Sequence, residues 1–222
     1  MAKGTLQTQQ YIIEPLQEMV KATADVYRQR LFDISWFMRI LNETIAKQAN
    51  REDECTGRFW EGRFKSQALL DEAALAACMA YVDLNPVRAK MAATPESSDY
   101  TSIQQRIKAA IKGEQPQALL SFVGDFKQDM PTGIPFELTV HIALVEATGR
   151  CIRDNKRGYI ENHQPAILTR LNIRIENWLI LTTKFRTCFH GAVGHADALS
   201  EFCQHQELKK RSTLSICQKL FI

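Results

Sequence analysis

Apolar residues recur at helical spacing along most of this chain. Ile13, Leu16, Met19, Val20, Val26 and Tyr27 recur close to a helical spacing within 12–31, which places them near one face of an α-helix; Thr23 interrupts that face. Asp33 precedes a second such run, with Trp36, Phe37, Ile40, Leu41 and Ile45. It predicts an N-cap, because its carboxylate can accept from the unpaired N–H groups of a first turn. The polar stretch ANREDECT at 49–56 predicts a loop. The period then changes. Around Glu61-Gly62, GRFW and RFKSQ predict two short strands of a hairpin. Asp71 predicts the cap of a helix through Ala74, Leu75, Cys78, Met79 and Val82. Pro86 predicts its end near Asn85, since proline lacks an N–H and disfavours helical geometry in the residue before it. TPESSD at 94–99 predicts a linker, 102–111 a helix closed at Lys112-Gly113, and 114–135 an irregular stretch. Residues 136–152, 165–171, 176–189 and 196–205 predict further helices. The fold class expected is α+β, mostly α, with a hairpin-bearing part over 1–114 and an all-helical part over 115–222.

Composition narrows the class. With 45% apolar and 24% charged residues over 222 positions, the chain reads as globular and able to bury a core. A net charge of +3 is mild, so the placement of charge says more than its sum. The six cysteines form no CxxC pair, which argues against a zinc ribbon and predicts reduced thiols. The first ten residues are polar, and no segment approaches the ~20 apolar residues of a membrane span. The expectation is a soluble, cytoplasmic protein with no membrane partner.

The candidate chemistry lies within 57–90. Arg58, Arg63 and Lys65 interleave with Phe59, Trp60 and Phe64. Cations hold phosphates and aromatic faces stack on unpaired bases, although alternation along a strand can equally turn the aromatics into a core. Tyr81 stands four residues before Asn85, so the two share a helix face. A tyrosine near a helix end ordinarily buries its ring and wets its hydroxyl. Asn85 adds a second possibility, because an amide oxygen is a hard ligand suited to Mg²⁺ or Mn²⁺. With a free pKa of about 10, a phenol needs a metal-polarised phosphate or a base to attack phosphorus. Arg88, just past Pro86, extends the same surface. Two further basic groups, Arg150–Arg153–Lys156–Arg157 and Lys209–Lys210–Arg211, could touch phosphate or simply be solvated.

The stretch GRFWEGRFKSQALLDEAALAACMAYVDLNPVRA resembles the RFK…YxxxNPVRA block of the single-tyrosine HUH transposases, closest to the REP-associated tyrosine transposases of the insertion-sequence 200-like group. LFDISWFMRILNETIAKQANREDECTGRFW and, more loosely, GRCIRDNKRGYI…PAILTRLNI…NWLILTTKF extend the likeness over most of the chain. The resemblance implies a ferredoxin-like antiparallel sheet carrying the tyrosine helix. It implies Tyr81 as the nucleophile that cleaves and rejoins single-stranded, hairpin-tailed DNA, and Asn85 as one ligand of a divalent metal. It also implies a possible homodimer, and the basic and aromatic pattern supplies the candidate DNA contacts, Arg58, Trp60, Arg63, Lys65 and Arg88.

The chain departs from that pattern in one respect. The family's His-x-His pair is absent: the histidines are His141, His163, His190, His195 and His205, all after Tyr81, and no two are two apart. The expectation is therefore an N-terminally truncated transposase with an incomplete metal site and weak or absent cleavage. Loss of the first strands would leave apolar surface exposed around Trp36, Phe37 and Phe59. Two readings stay open: a strand-cleaving enzyme, or a remnant that binds nucleic acid without catalysis.

Overall fold

The structure is a computed structural model that describes residues 3–124, 132–153, 166–207 and 213–221, with the backbone alone for 3–14 and 153. It divides into two compact units, Met1–Lys65 and Ser66–Ile222. Residue 115 lies inside the second unit.

The first unit is a helical pair. Helix α1 spans Lys3–Leu31 and α2 spans Ile34–Glu52. Asp33 caps α2 as the sequence predicts, its carboxylate accepting from the Ser35 N–H at 2.7 Å. Helix α2 extends to Glu52, so the first half of the expected polar loop at 49–56 is helical. The helices pack on each other, and the partly covered residues of α2 are Trp36, Met38, Asn42, Ala46, Ala49 and Asn50. No residue of α2 is buried, and four of the apolar positions that define its helical pattern, Phe37, Ile40, Leu41 and Ile45, are exposed, while Trp36 is partly covered. Trp36 is flanked by guanidinium groups, with Arg30 at 4.0 Å and Arg39 at 5.0 Å from its ring.

The expected hairpin does not form. Residues 57–67 contain no strand. The two-residue β1, Ala68–Leu69, instead pairs in parallel with β2, Ala192–Val193, from far along the chain. The local cause is competition for backbone acceptors. Arg58 donates from Nε to the Trp60 carbonyl at 2.8 Å and from Nη2 to the Glu61 carbonyl at 2.6 Å. The Trp60 indole donates to the Asn42 carbonyl of α2 at 2.9 Å, which ties the segment to a helix rather than to a neighbouring strand.

The second unit holds the core. It contains α3 (Glu72–Asp83), α4 (Asn85–Arg88), a 3-10 turn (Pro95–Ser97), α5 (Ser102–Ala110), α6 (Leu138–Arg153), α7 (Ala166–Arg170), α8 (Ile175–Cys188), α9 (Ala196–His205) and α10 (Leu214–Leu220). The described chain is thus mostly helical with a small parallel sheet. Helix α3 buries Ala73, Ala74, Ala76, Ala77 and Ala80, and packs on α8. Small side chains let the two helices approach closely. Helix α8 answers with Trp178, Leu181 and Phe185, all essentially buried. The Trp178 indole is satisfied by the Thr148 hydroxyl at 2.9 Å, so its area is buried without an orphaned donor.

Asp71 caps α3 through the Ala74 N–H at 2.8 Å, as expected. Its other oxygen accepts from the backbone N–H of His195 at 2.6 Å and contacts that ring's Nδ1 at 3.0 Å. This single side chain therefore joins the start of α3 to the turn after β2. Gly194 permits the approach, since a Cβ there would stand 2.7 Å from the Asp71 carboxylate. The TPESSD segment is not an open linker but a capping box between Thr94 and Ser97, with Ser98 fully buried. Pro86 sits in the first turn of α4, where its missing N–H leaves no bond unmade.

Candidate nucleic-acid interface

The residues singled out by sequence fall into two groups, one in each unit. The first is the irregular segment 57–65. Phe59 and Trp60 meet edge to face with ring centroids 4.8 Å apart, and remain 42% and 40% exposed. Arg63 and Lys65 are exposed and have no hydrogen-bond or ion-pair partner among the described residues. Arg58 differs from them: two of its donor nitrogens hold the Trp60 and Glu61 carbonyls and so shape the segment.

The second group is the corner between α3 and α4. Here the structure brings Tyr81, Asn85 and Arg88 together. The Arg88 guanidinium lies 3.9 Å from the centroid of the Tyr81 ring. Its Nη1 donates to the Tyr81 carbonyl at 2.6 Å and to the Thr182 carbonyl of α8 at 3.0 Å. Its Nη2 donates to the Asn85 side-chain oxygen at 3.0 Å. Helix α8 is kinked two residues later, at Lys184 (φ −123°, ψ 16°), as expected where a side chain draws on a carbonyl of the helical ladder. Tyr81 also packs on Phe185, with ring centroids 5.8 Å apart. Burial lowers the Arg88 pKa from its ordinary value, and contact with Tyr81 offsets part of that effect.

This geometry bears on the metal implied by the resemblance. The one recognisable ligand, Asn85, is a neutral amide whose oxygen is already paired with a cation. Among the described residues, no group of three or more His, Cys, Asp or Glu side chains could hold an ion. The donors present do not fit a divalent metal at this corner.

Two features were missed in the sequence. Thr182 offers only a backbone carbonyl, which leaves no residue-type signal. Asp83 and His141 form a buried pair, Oδ2 to Nε2 at 2.8 Å, with side chains 6% and 2% exposed. Ser102 adds a contact to the other Asp83 oxygen at 3.5 Å, and Arg106 is near enough to act on the carboxylate electrostatically. Of the downstream basic residues, Arg150 pairs with Glu146 one turn earlier. Lys156, Arg157, Lys209, Lys210 and Arg211 lie outside the described residues. Among those described, no helix is long and apolar enough to cross a membrane.

Compared with protein-family models, characterised proteins and solved structures, the chain matches none.

Proposed function

We propose that this chain is a nucleic-acid-binding protein of tyrosine-transposase lineage. In this reading it engages single-stranded DNA through the 57–65 segment and keeps Tyr81 as a packing residue. The observation that carries the reading is the pairing of two unpartnered cations, Arg63 and Lys65, with two half-exposed aromatic rings on one short segment. Such a surface can track a phosphate backbone and stack on unpaired bases without reading their sequence. The helix that carries Tyr81 and the sheet contact before it descend, on this reading, from the family's ferredoxin-like core.

One observation favours a second reading, strand cleavage through Tyr81. The Arg88 cation beside the phenol ring could steady a phosphodiester there. Its donors, however, are largely committed to two carbonyls and Asn85. Binding without cleavage is therefore the better supported reading.

Fluorescence anisotropy with a labelled, hairpin-tailed single strand tests the binding. Affinity should fall linearly with salt on logarithmic axes. Arg63→Ala with Lys65→Ala should reduce that slope by about 0.7 per phosphate contact removed. Trp60→Ala should weaken binding by about 1–3 kcal/mol at every salt concentration, the usual cost of a lost stacked base. Unchanged affinity and slope in the double variant would remove the segment from the interface.

A further inference from the structure

Trp36 and the two arginines around it form a second cationic, aromatic cluster in the first unit. Arg30 lies in the last turn of α1, and Trp36 in the first turn of α2 with Arg39 one turn further on, so the bend between the helices gathers all three. The Arg30 guanidinium stands 4.0 Å from the Trp36 ring centroid and 5.5 Å from that of Tyr27, and Arg39 stands 5.0 Å from Trp36. Contact with a ring face uses the flat of a guanidinium and leaves its N–H edge free. Neither guanidinium has a hydrogen-bond or ion-pair partner among the described residues, in contrast to Arg58 and Arg88, whose donors hold carbonyls. The nearby acids are engaged elsewhere. Asp25 pairs with Arg28 at 2.7 Å, Asp33 caps α2, and Glu43 is bonded to Lys47 at 2.6 Å. Lys47, and after it Arg39, hold the Glu43 carboxyl below its ordinary value.

We infer that Arg30 and Arg39, stacked on Trp36, form a second phosphate clamp for the single strand engaged by the 57–65 segment, so that the strand continues along α2. Guanidinium edges hold phosphate oxygens by parallel N–H···O bonds, and an aromatic pedestal lowers the cost of ordering two long side chains. The placement selects a strand rather than a free phosphate ion. The Trp60 indole is bonded to the Asn42 carbonyl, and Asn42 follows Trp36 by about 9 Å along the α2 axis, with Arg39 between them. That distance is about three phosphate steps at the roughly 3.4 Å spacing of a stacked strand. The inference rests on the reading of 57–65 as a single-strand surface, and adds to it a second contact and a path.

Anisotropy titrations of the labelled, hairpin-tailed strand over a salt series test it. Arg30→Gln with Arg39→Gln should lower the slope of log affinity against log salt by about 1.4, two contacts at about 0.7 each. That loss should add to the loss from Arg63 and Lys65 when all four are replaced. Lys21→Gln with Arg28→Gln removes the same charge from α1 away from Trp36, and should leave the slope as it is. Trp36→Leu keeps both charges and should keep the slope, but weaken binding about fivefold because the arginines must then be ordered on binding. An unchanged slope in the Arg30 and Arg39 variant, or an equal loss from the Lys21 and Arg28 variant, would overturn the clamp and leave the 57–65 segment in place. Native affinity in Trp36→Leu would overturn the stacked arrangement. No binding by the native chain at any salt concentration would overturn both readings together.

Discussion

Arg88 closes the corner after α3 by four contacts: the Tyr81 ring, two carbonyls and the Asn85 amide. Hydrogen bonds from a charged group contribute about 1.5–3 kcal/mol, so Arg88→Ala should cost about 3 kcal/mol in urea unfolding. Arg88→Lys should recover only part of that, because an ammonium cannot reproduce the planar fork. An Arg88→Ala variant of native stability would remove the clamp from the account. The buried Asp83–His141 pair makes a parallel case. His141→Ala removes the shorter of the two contacts to the buried Asp83 carboxylate and should cost about 3 kcal/mol, measured in the same way. At this scale the sequence was legible where the partner was local. The Asp33 and Asp71 caps are each satisfied within three residues, so residue type and position suffice to find them. The second role of Asp71 was not legible, because its partner His195 lies 124 residues away.

Helices were the most legible elements, since a run of apolar residues at spacing three and four has few other solutions. The segment 57–67 was misread for a physical reason. Alternating cations and aromatics around Glu61-Gly62 satisfy the hairpin pattern, but pairing also needs free carbonyls, and Arg58 takes two of them. The strand contact that does form joins β1 to β2 across more than half the chain, a distance over which no local pattern speaks. Two elements carry a pH dependence. Burial pushes the thiols of Cys78 on α3 and Cys217 on α10 above their ordinary value of 9.0, and the nearby carboxylates of Asp83 and Asp71 add to it. The folded state then holds these protons more tightly than the unfolded chain. That stabilisation is fully present below pH 9.0 and is lost as pH rises towards the elevated folded values. Urea midpoints should therefore fall as pH rises above 9.0, and fall less in Cys78→Ala. An identical decline in both chains would show that this thiol contributes nothing. In dithionitrobenzoate titration, exposed Cys55 should react first, and buried Cys151, Cys203 and Cys217 only on unfolding.

For the whole molecule, sequence reading captured the mostly helical class but not the division after Lys65. That division was hard to see because Gly57 to Lys90 reads as one continuous motif, while its basic, aromatic half and its tyrosine half belong to different compact units. The same division separates two roles in the account: a segment offered to single-stranded DNA, and a tyrosine held in place by an arginine. Both can be read in one cuvette, by following the anisotropy of a labelled, hairpin-tailed single strand with the native chain and Mg²⁺, and then adding SDS. The account predicts a rise on mixing and a full return to the free-DNA value in SDS, with Tyr81→Phe behaving identically. No rise on mixing would contradict the binding. A signal that survives SDS in the native chain but not in Tyr81→Phe would show a covalent phosphotyrosine link and restore Tyr81 as a nucleophile.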